Sequence, residues 1–377
     1  MDSTPLQKAS GMIHPGEMVV DYLDFTGWSQ SDLARRTGLS AKTISEICNG
    51  KAPITPATAL ALEKVFQRPA HFWLNLQRQF DEAEARRREL QLSDQWTRWA
   101  DSFPLREMKR RGWLPSSPAV QSDVHSLLTF FGVSSPQSWQ SVSQASDVAY
   151  RQTRKFKTSV ESVSVWLRAT ELAAAELPVQ VADFDEDRVR STIEDLRSFT
   201  TMRADEIIAP IQALCGAGGI VVVWVPELQQ TGISGCARWL TDRKALIGLT
   251  LRYKTDDQLW FTFFHELGHI LLHRRRRSFV VDNADKHIAD RVIDPEMQIF
   301  EDEAHRFASD TLIPPSDLAD FIRAGRFTNE TIFSFAKKIG VGPGLVVGRL
   351  QHDGILARHQ GNAFKQRLAW GRVEDRS

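Results

Sequence analysis

The stretch Leu259 to His273 places the tightest condition on how this chain can fold. It is strongly apolar, with Phe261, Phe263, Phe264, Leu267, Ile270 and Leu271, yet it carries His265, Glu266 and His269. Burying such a helix is favourable, but burying two imidazoles and a carboxylate without partners is costly. Further polar chemistry must therefore meet it. On a helix, residues four apart share one face, about 6 Å apart. His265 and His269 so placed can bind one tetrahedral metal at about 2.0–2.1 Å. Glu266, one residue on, can serve as general base toward water at that metal. Gly268 lets another backbone approach closely.

A closed structural site has four protein ligands, whereas a hydrolytic one has three and water. The third ligand is expected in Glu301-Asp-Glu-Ala-His-Arg-Phe-Ala308. Ala304 and Ala308 are small and helix-periodic, so they should pack against the histidine helix. Glu301 shares their face and is the expected ligand. Glu303 is rotated away and is the alternative. His305, four after Glu301, can orient a ligand or bind the oxyanion of a tetrahedral intermediate. His273, a turn beyond His269, reads as a packing residue or a support behind a ligand. His287 and the Arg274–Arg277 run read as surface, the latter alternatively as a reader of acidic substrate.

Strands are expected at Ile220–Val225, Ile233–Leu240 and Ala245–Leu251. A helix over Ile207–Cys215 precedes them, and helices follow to about residue 350. The N-terminal part reads differently. Pro15 suits a first helical position, and Ser29, Ser40 and Thr55 are placed to cap three further helices, the last opened by Pro56. Pro69 opens a fifth, which continues through the charged stretch Asp81–Glu89. In Gln30–Gly50, Ala34 is small, Gly38 supplies a turn, and Leu39, Ile44 and Ile47 point inward. That leaves Lys42, Thr43, Ser45, Glu46 and Asn49 outward on the second helix of a helix-turn-helix. Such residues can enter a major groove, with Lys42 and Lys51 on phosphates. A hairpin used only for packing or dimerisation is the alternative.

With 377 residues, two or three domains are expected. Lys+Arg and Asp+Glu both number 47, so general polyanion binding is excluded and any nucleic-acid contact must be local. Cys48, Cys215 and Cys236 form no CxxC pair, which disfavours a disulfide scaffold or a cysteine zinc finger and fits the cytoplasm. The polar start lacks a signal peptide's apolar segment, and no apolar run is long enough to cross a membrane. Between residues 93 and 200, short helices separated by prolines are expected, two of them amphipathic, around Trp166 and Leu196. Arg151, Arg154, Lys155 and Lys157 read as a solvated face.

His14-Pro-Gly-Glu17, the helix pair, Ile54-Thr-Pro56 and Phe72-Trp-Leu-Asn-Leu76 together resemble the HigA-type branch of the XRE/Cro/C1 repressor domains. The resemblance implies binding to a palindromic double-stranded operator, usually as a homodimer, with autoregulation common. His265–His273, Glu301–Pro314 and Phe333–Leu350 together resemble the ImmA/IrrE metallopeptidases, a gluzincin-like family whose members cleave XRE-type repressors. That resemblance implies His265, His269 and Glu301 as metal ligands and Glu266 as base. His305 stands where the family pattern usually has Asn.

The expected fold is multidomain and mainly α. It comprises a lambda-repressor-like helix-turn-helix domain over 12–80, a helical connecting region over 81–202, an α+β zincin-like metallopeptidase domain over 203–355, and a frayed polar tail over 356–377. The expected function is a DNA-binding regulator with a built-in endopeptidase using Zn2+, or Mn2+, on a repressor-type protein or on itself. The alternative is a HigA-like antitoxin, with a toxin partner, whose peptidase-like domain is a non-catalytic sensor.

Overall fold

The computed structural model describes residues 14–116, 122–146, 159–178, 180–203, 206–229, 231–251, 254–274, 278–282 and 295–368. The chain divides by packing into two units, residues 1–97 and 98–377. The basic residues Arg151, Arg154, Lys155 and Lys157, together with Arg275–Arg277 and His287, lie outside the described residues. No helix among the described residues is long and apolar enough to cross a membrane.

The first unit is built from α1 (Pro15–Thr26), α2 (Gln30–Thr37), α3 (Ala41–Cys48), α4 (Pro56–Phe66) and α5 (Ala70–Ala100). Each start has a local cause. Ser29 and Asp32 form a reciprocal capping box on α2, Ser40 accepts the Thr43 N–H on α3, and Thr55 accepts the Thr58 N–H on α4. Gly27 and Gly38 end α1 and α2 in the left-handed conformation. Leu33, Ile44, Ile47, Leu62 and Trp73 make the core between these helices.

The second unit opens with α6 (Leu105–Arg110), α7 (Asp123–Phe131), α8 (Pro136–Ser146), α9 (Val160–Glu176), α10 (Glu186–Ser191), α11 (Ile193–Ser198) and α12 (Ile208–Ala217). A sheet follows, of β1 (Ile220–Trp224), β2 (Ile233–Thr241) and β3 (Lys244–Leu249). Then come α13 (Asp256–Leu272), β4 (Ser278–Asp282), α14 (Pro295–Leu312), α15 (Pro315–Ala324), α16 (Asn329–Ile339) and α17 (Pro343–His352). Sheet order is β1-β3-β2-β4. β1 runs parallel to β3 (Val222↔Ile247), and β2 runs antiparallel to both β3 (Ala237↔Ile247) and β4 (Gly235↔Val281). One sheet face, carrying Val222, Ala237 and Ile247, joins α12 and α13 in the main core. The other meets α9, whose Thr170 and Trp166 lie against Gly248.

Three expectations are corrected. The connecting region over 81–202 is not a separate body. Residues 81–100 continue α5, and α9, α10 and α11 belong to the second unit, with Val189 and Leu196 inside its core. The sheet has a fourth strand, β4, where a loop followed by helices was expected. Its five residues are too few to show a period of two.

The tail is the third correction, since its described part, through Leu368, is docked rather than frayed. Thr255 bridges to Arg367, the Asp256 N–H donates to Gln366 O, and the Gln366 N–H donates back to Asp256 Oδ1, both at 3.0 Å. Lys365 Nζ lies 2.7 Å from Asp257 Oδ2 in a nearly buried pair. Burial, and the adjacent Asp257, push Asp256 up to about 6. Asp256 and Asp257 fill the first turn of α13, where the helix dipole favours negative charge. On α17, Gly344 and Gly348 leave room for them, since an added Cβ would stand 2.9 and 2.5 Å from their carboxylate oxygens. The C-terminal segment thus clasps the start of the histidine helix.

Removing one partner of a buried ion pair typically costs about 3–5 kcal/mol, because the other charge stays buried. Lys365→Ala should destabilise the second unit by that order in urea titration of the full chain, and Asp257→Asn combined with Lys365→Met should recover part of the loss. A Lys365→Ala chain that unfolds at the wild-type midpoint would show that the clasp does not fasten α13.

Candidate metal centre and nucleic-acid interface

α13 packs directly against α14. Gly268 of α13 faces the Ala304 backbone, which an added Cβ would approach to 3.3 Å, and Ala304 and Ala308 are fully buried. This contact brings Glu301 over the two histidines. His265 Nε2 lies 3.2 Å from Glu301 Oε2, His269 Nε2 lies 3.4 Å from Glu301 Oε1, and the two imidazole nitrogens are 3.0 Å apart. All three donor atoms fall within 4.8 Å of one another. His265 and His269 are buried, while the Glu301 side chain keeps 27% exposure.

The electrostatics follow from that burial. Desolvation, more than any neighbour, lowers His269 to about 4 and keeps it neutral. Burial also opposes ionisation of Glu301, but hydrogen bonds from His265 and His269 outweigh it and hold the carboxyl well below its usual range. Glu266 is driven the other way, well above the usual carboxylate range, by complete burial and then by the Glu301 charge. Both Glu266 oxygens and His265 Nδ1 have no hydrogen-bond partner among the described residues. Gly235 of β2 makes room for this carboxylate, since a Cβ there would stand 2.8 Å from Glu266 Oε1. Two imidazole nitrogens, one carboxylate oxygen and an unsatisfied acid beside them fit a divalent cation.

Glu303, the alternative ligand, points elsewhere, its Oε2 lying 2.8 Å from His273 Nε2. His273 Nδ1 in turn lies 3.2 Å from His269 Nδ1, behind the cluster of His265, His269 and Glu301. His305 stacks edge-on to His265 at 5.2 Å and to Phe261 at 4.8 Å, beside the cluster. His352 at the end of α17 brings its ring within 6.4 Å of His305, which spacing along the chain could not disclose. Arg274 is exposed and lies over the rings of Phe184 and Trp239.

In the first unit, α3 presents Lys42 outward, 3.8 Å from Glu46, while Ile44 and Ile47 are buried. Thr43 Oγ1 lies 2.8 Å from Ser40 Oγ, and Ser45 is half-buried. Asn49 is exposed, with its amide donating back to Ser45 O at 2.8 Å, so it also caps α3. Lys51 is exposed just beyond. The helix is fixed from behind by the His14-Pro-Gly segment. His14 Nδ1 accepts the Gly16 N–H at 2.9 Å, and its ring packs edge-on to Phe80 at 4.5 Å. A Cβ on Gly16 would stand 2.0 Å from Ile47 O. These residues hold α1 against the end of α3, a role the motif does not announce.

An imidazole that accepts at Nδ1 must be neutral, and burial lowers the His14 pKa from 6.5 against the pull of Glu17 and Asp81. Below that pH the unfolded chain takes up the proton more readily than the folded one. First-unit stability should therefore be complete above about pH 6.5 and fall as pH drops below it. Urea midpoints of the full chain should drop between about pH 7.5 and about pH 5.5. His14→Asn, which can still cap, should flatten that slope, and an unchanged slope would assign it to another group.

Known proteins agree with this division. The helix-turn-helix family matches residues 26–73, and the IrrE N-terminal-like domain, a peptidase family, matches residues 238–351. The chain is 35% identical over 71 residues to the uncharacterized HTH-type transcriptional regulator YddM of Escherichia coli, covering 19% of this chain and 76% of that protein. It is 40% identical over 70 residues to virulence-associated protein I of Dichelobacter nodosus, covering 18% of this chain and 65% of that one. Among solved structures, it is similar to an addiction module antidote protein of a HigA family from Coxiella burnetii. That match has 34% identity and a TM-score of 0.21, covering 22% of this chain and 92% of the other. It is also similar to Pseudomonas aeruginosa antitoxin HigA with the higBA promoter, at 35% identity and a TM-score of 0.19, covering 20% and 82%. The chain belongs to the XRE-type helix-turn-helix regulators through its first unit, and its second unit carries a peptidase-family domain of the IrrE type.

Proposed function

We propose that this chain is a DNA-binding regulator whose second unit is a metal-dependent endopeptidase, acting on a repressor-type protein or on itself. The observation that carries this reading is the convergence of His265, His269 and Glu301 beside the buried carboxylate of Glu266, which has no hydrogen-bond partner among the described residues. Those three side chains would hold the metal, with Zn2+ expected and Mn2+ the alternative. When bound, the metal supplies Lewis acidity toward the scissile carbonyl and toward water. Glu266, raised in pKa by burial, takes the proton from the attacking water at a carboxylate oxygen and passes it to the leaving amine. His305, whose ring lies edge-on 5.2 Å from that of His265, would donate to the carbonyl oxygen as charge develops there.

Glu266→Gln keeps the ligands and removes the proton carrier, a loss of about 10²- to 10⁴-fold in rate. Mass-spectrometric mapping of new protein termini in cells expressing either chain, the chain's own termini included, should find cleavages made by wild type and absent with Glu266→Gln. Equal cleavage by both would overturn the mechanism. A metal-loaded wild type that cleaves nothing would favour a HigA-like antitoxin with an inert peptidase-like unit, and binding of an adjacently encoded toxin would support it.

The first unit is proposed to read a double-stranded operator through Thr43, Ser45 and Asn49, as a homodimer, with Lys42 and Lys51 on phosphates. Losing a bidentate base contact costs about 1–3 kcal/mol, roughly 5- to 150-fold in affinity. Losing a phosphate contact lowers the salt slope by about one. In fluorescence-anisotropy titrations with the DNA upstream of its own gene, Thr43→Ala and Asn49→Ala should weaken binding. Lys51→Ala should flatten the salt dependence. Wild-type binding by all three would make the helix pair a packing or dimerisation element.

A further inference from the structure

Resting on the peptidase reading above, we infer that a small pocket along α13, walled on one side by Leu368 of the docked C-terminal segment, receives a short substrate side chain near the scissile bond. Gln258, Leu259 and Thr262 line it from the first two turns of α13, Ser234 from β2, Leu251 from just beyond β3, and Leu368 from the C-terminal segment. Thr262 and Glu266 stand one turn apart on the same face of α13, and both meet β2 at Gly235. A Cβ built on Gly235 would stand 2.6 Å from the Thr262 methyl and 2.8 Å from Glu266 Oε1. The pocket therefore ends beside the carboxylate assigned to take the proton from water. One helical turn rises about 5.4 Å, and an extended peptide advances about 3.3–3.6 Å per residue. A peptide bond held between the metal-binding trio and Glu266 thus brings a residue one or two positions away to this pocket.

The occupant follows from size and lining. The cavity volume is about 10 Å³, the space of one water molecule or of one methyl or hydroxyl group. That suits Ala, Ser or Thr. Leu251, Leu259 and Leu368 receive the carbon atoms, while Ser234, Gln258 and Thr262 bring polar groups to the wall. A longer side chain would have to displace Leu368, and that residue is fastened from both ends of its surroundings. It is 7% exposed within the main core, and its N–H donates to Lys254 O at 2.9 Å. Just before it, Gln366 exchanges hydrogen bonds with Asp256, and Lys365 pairs with Asp257. The segment that clasps α13 therefore also sets the width of the pocket. Leu368 is in this reading a specificity-determining residue, touching the substrate side chain and none of the reacting atoms.

The test uses the full chain loaded with Zn2+ and a library of peptides from a digested proteome, with new termini read by mass spectrometry. Wild type should enrich Ala, Ser and Thr at one position within two residues of the cut. Leu368→Ala and Gln258→Ala each widen the pocket. Both should raise Val and Leu relative to Ala at that position by about 10-fold or more, the worth of one methylene in a pocket. Gln258 is half-buried on a helix, where alanine is well tolerated, so this variant keeps the test decisive if Leu368→Ala loosens the C-terminal segment. Zn2+ content and selection at the other positions should match wild type in both. Peptides of the preferred sequence should also bind the Zn2+-loaded Glu266→Gln chain more tightly with Ala than with Leu at that position, measured by fluorescence anisotropy. Cleavage with no preference for short residues within two positions of the cut, or a preference unchanged in both variants, would overturn the pocket while leaving the peptidase reading intact. A Zn2+-loaded wild type that cleaves no peptide would overturn the reading on which the pocket rests.

Discussion

The second unit is organised around the cost of placing Glu266 where it is. A carboxylate with no exposure and no hydrogen-bond partner among the described residues would be expelled from an ordinary core. Here each neighbour accommodates it at some expense to itself. β2 gives up a side chain at Gly235, and α13 gives up one at Gly268 so that α14 can approach and bring Glu301. The imidazole of His269 is held neutral in the same volume. A core with such groups is not selected for stability alone, and perturbed acids and bases gathered in one place are the physical mark of a reactive site.

Rigidity around that cluster comes from parts of the chain far away in sequence. The segment ending at Leu368 clasps the first turn of α13 through Asp256, Asp257 and Lys365. Arg197 of α11 donates to the carbonyls of Leu312 and Ile339, at the ends of α14 and α16, at 3.3 and 2.6 Å. A cation between two helix C-termini satisfies carbonyls that the helices leave open. Both devices act on the helices that carry the cluster, one at the start of α13 and the other at the end of α14. The site is thus held by the ends of its helices as well as by the packing between them.

What could be read from the residues was local in origin. The caps Ser29, Ser40 and Thr55 declare themselves because their partners lie three residues on. Ala304 and Ala308 pointed to Glu301 over Glu303 because helical spacing alone decides which side chains share a face. What could not be read depends on distant pairing. The role of His14 needs Gly16 to meet Ile47, and the membership of α9 in the second unit needs Trp166 to meet the sheet. Residues 356–368 are mostly polar along the chain, and nothing in their order hints that Lys365 has a buried partner. His273 and Glu303 are each unremarkable alone, and their connection exists only once α13 and α14 are side by side.

The central claim is that His265, His269 and Glu301, and no other set, hold one divalent cation. Metal content of the purified full chain after equilibrium dialysis against Zn2+ tests it most directly. The account predicts one bound ion per chain in wild type, none in His269→Ala or Glu301→Ala, and one retained in His305→Ala. Undiminished metal in Glu301→Ala, with the fold intact by circular dichroism, would contradict it.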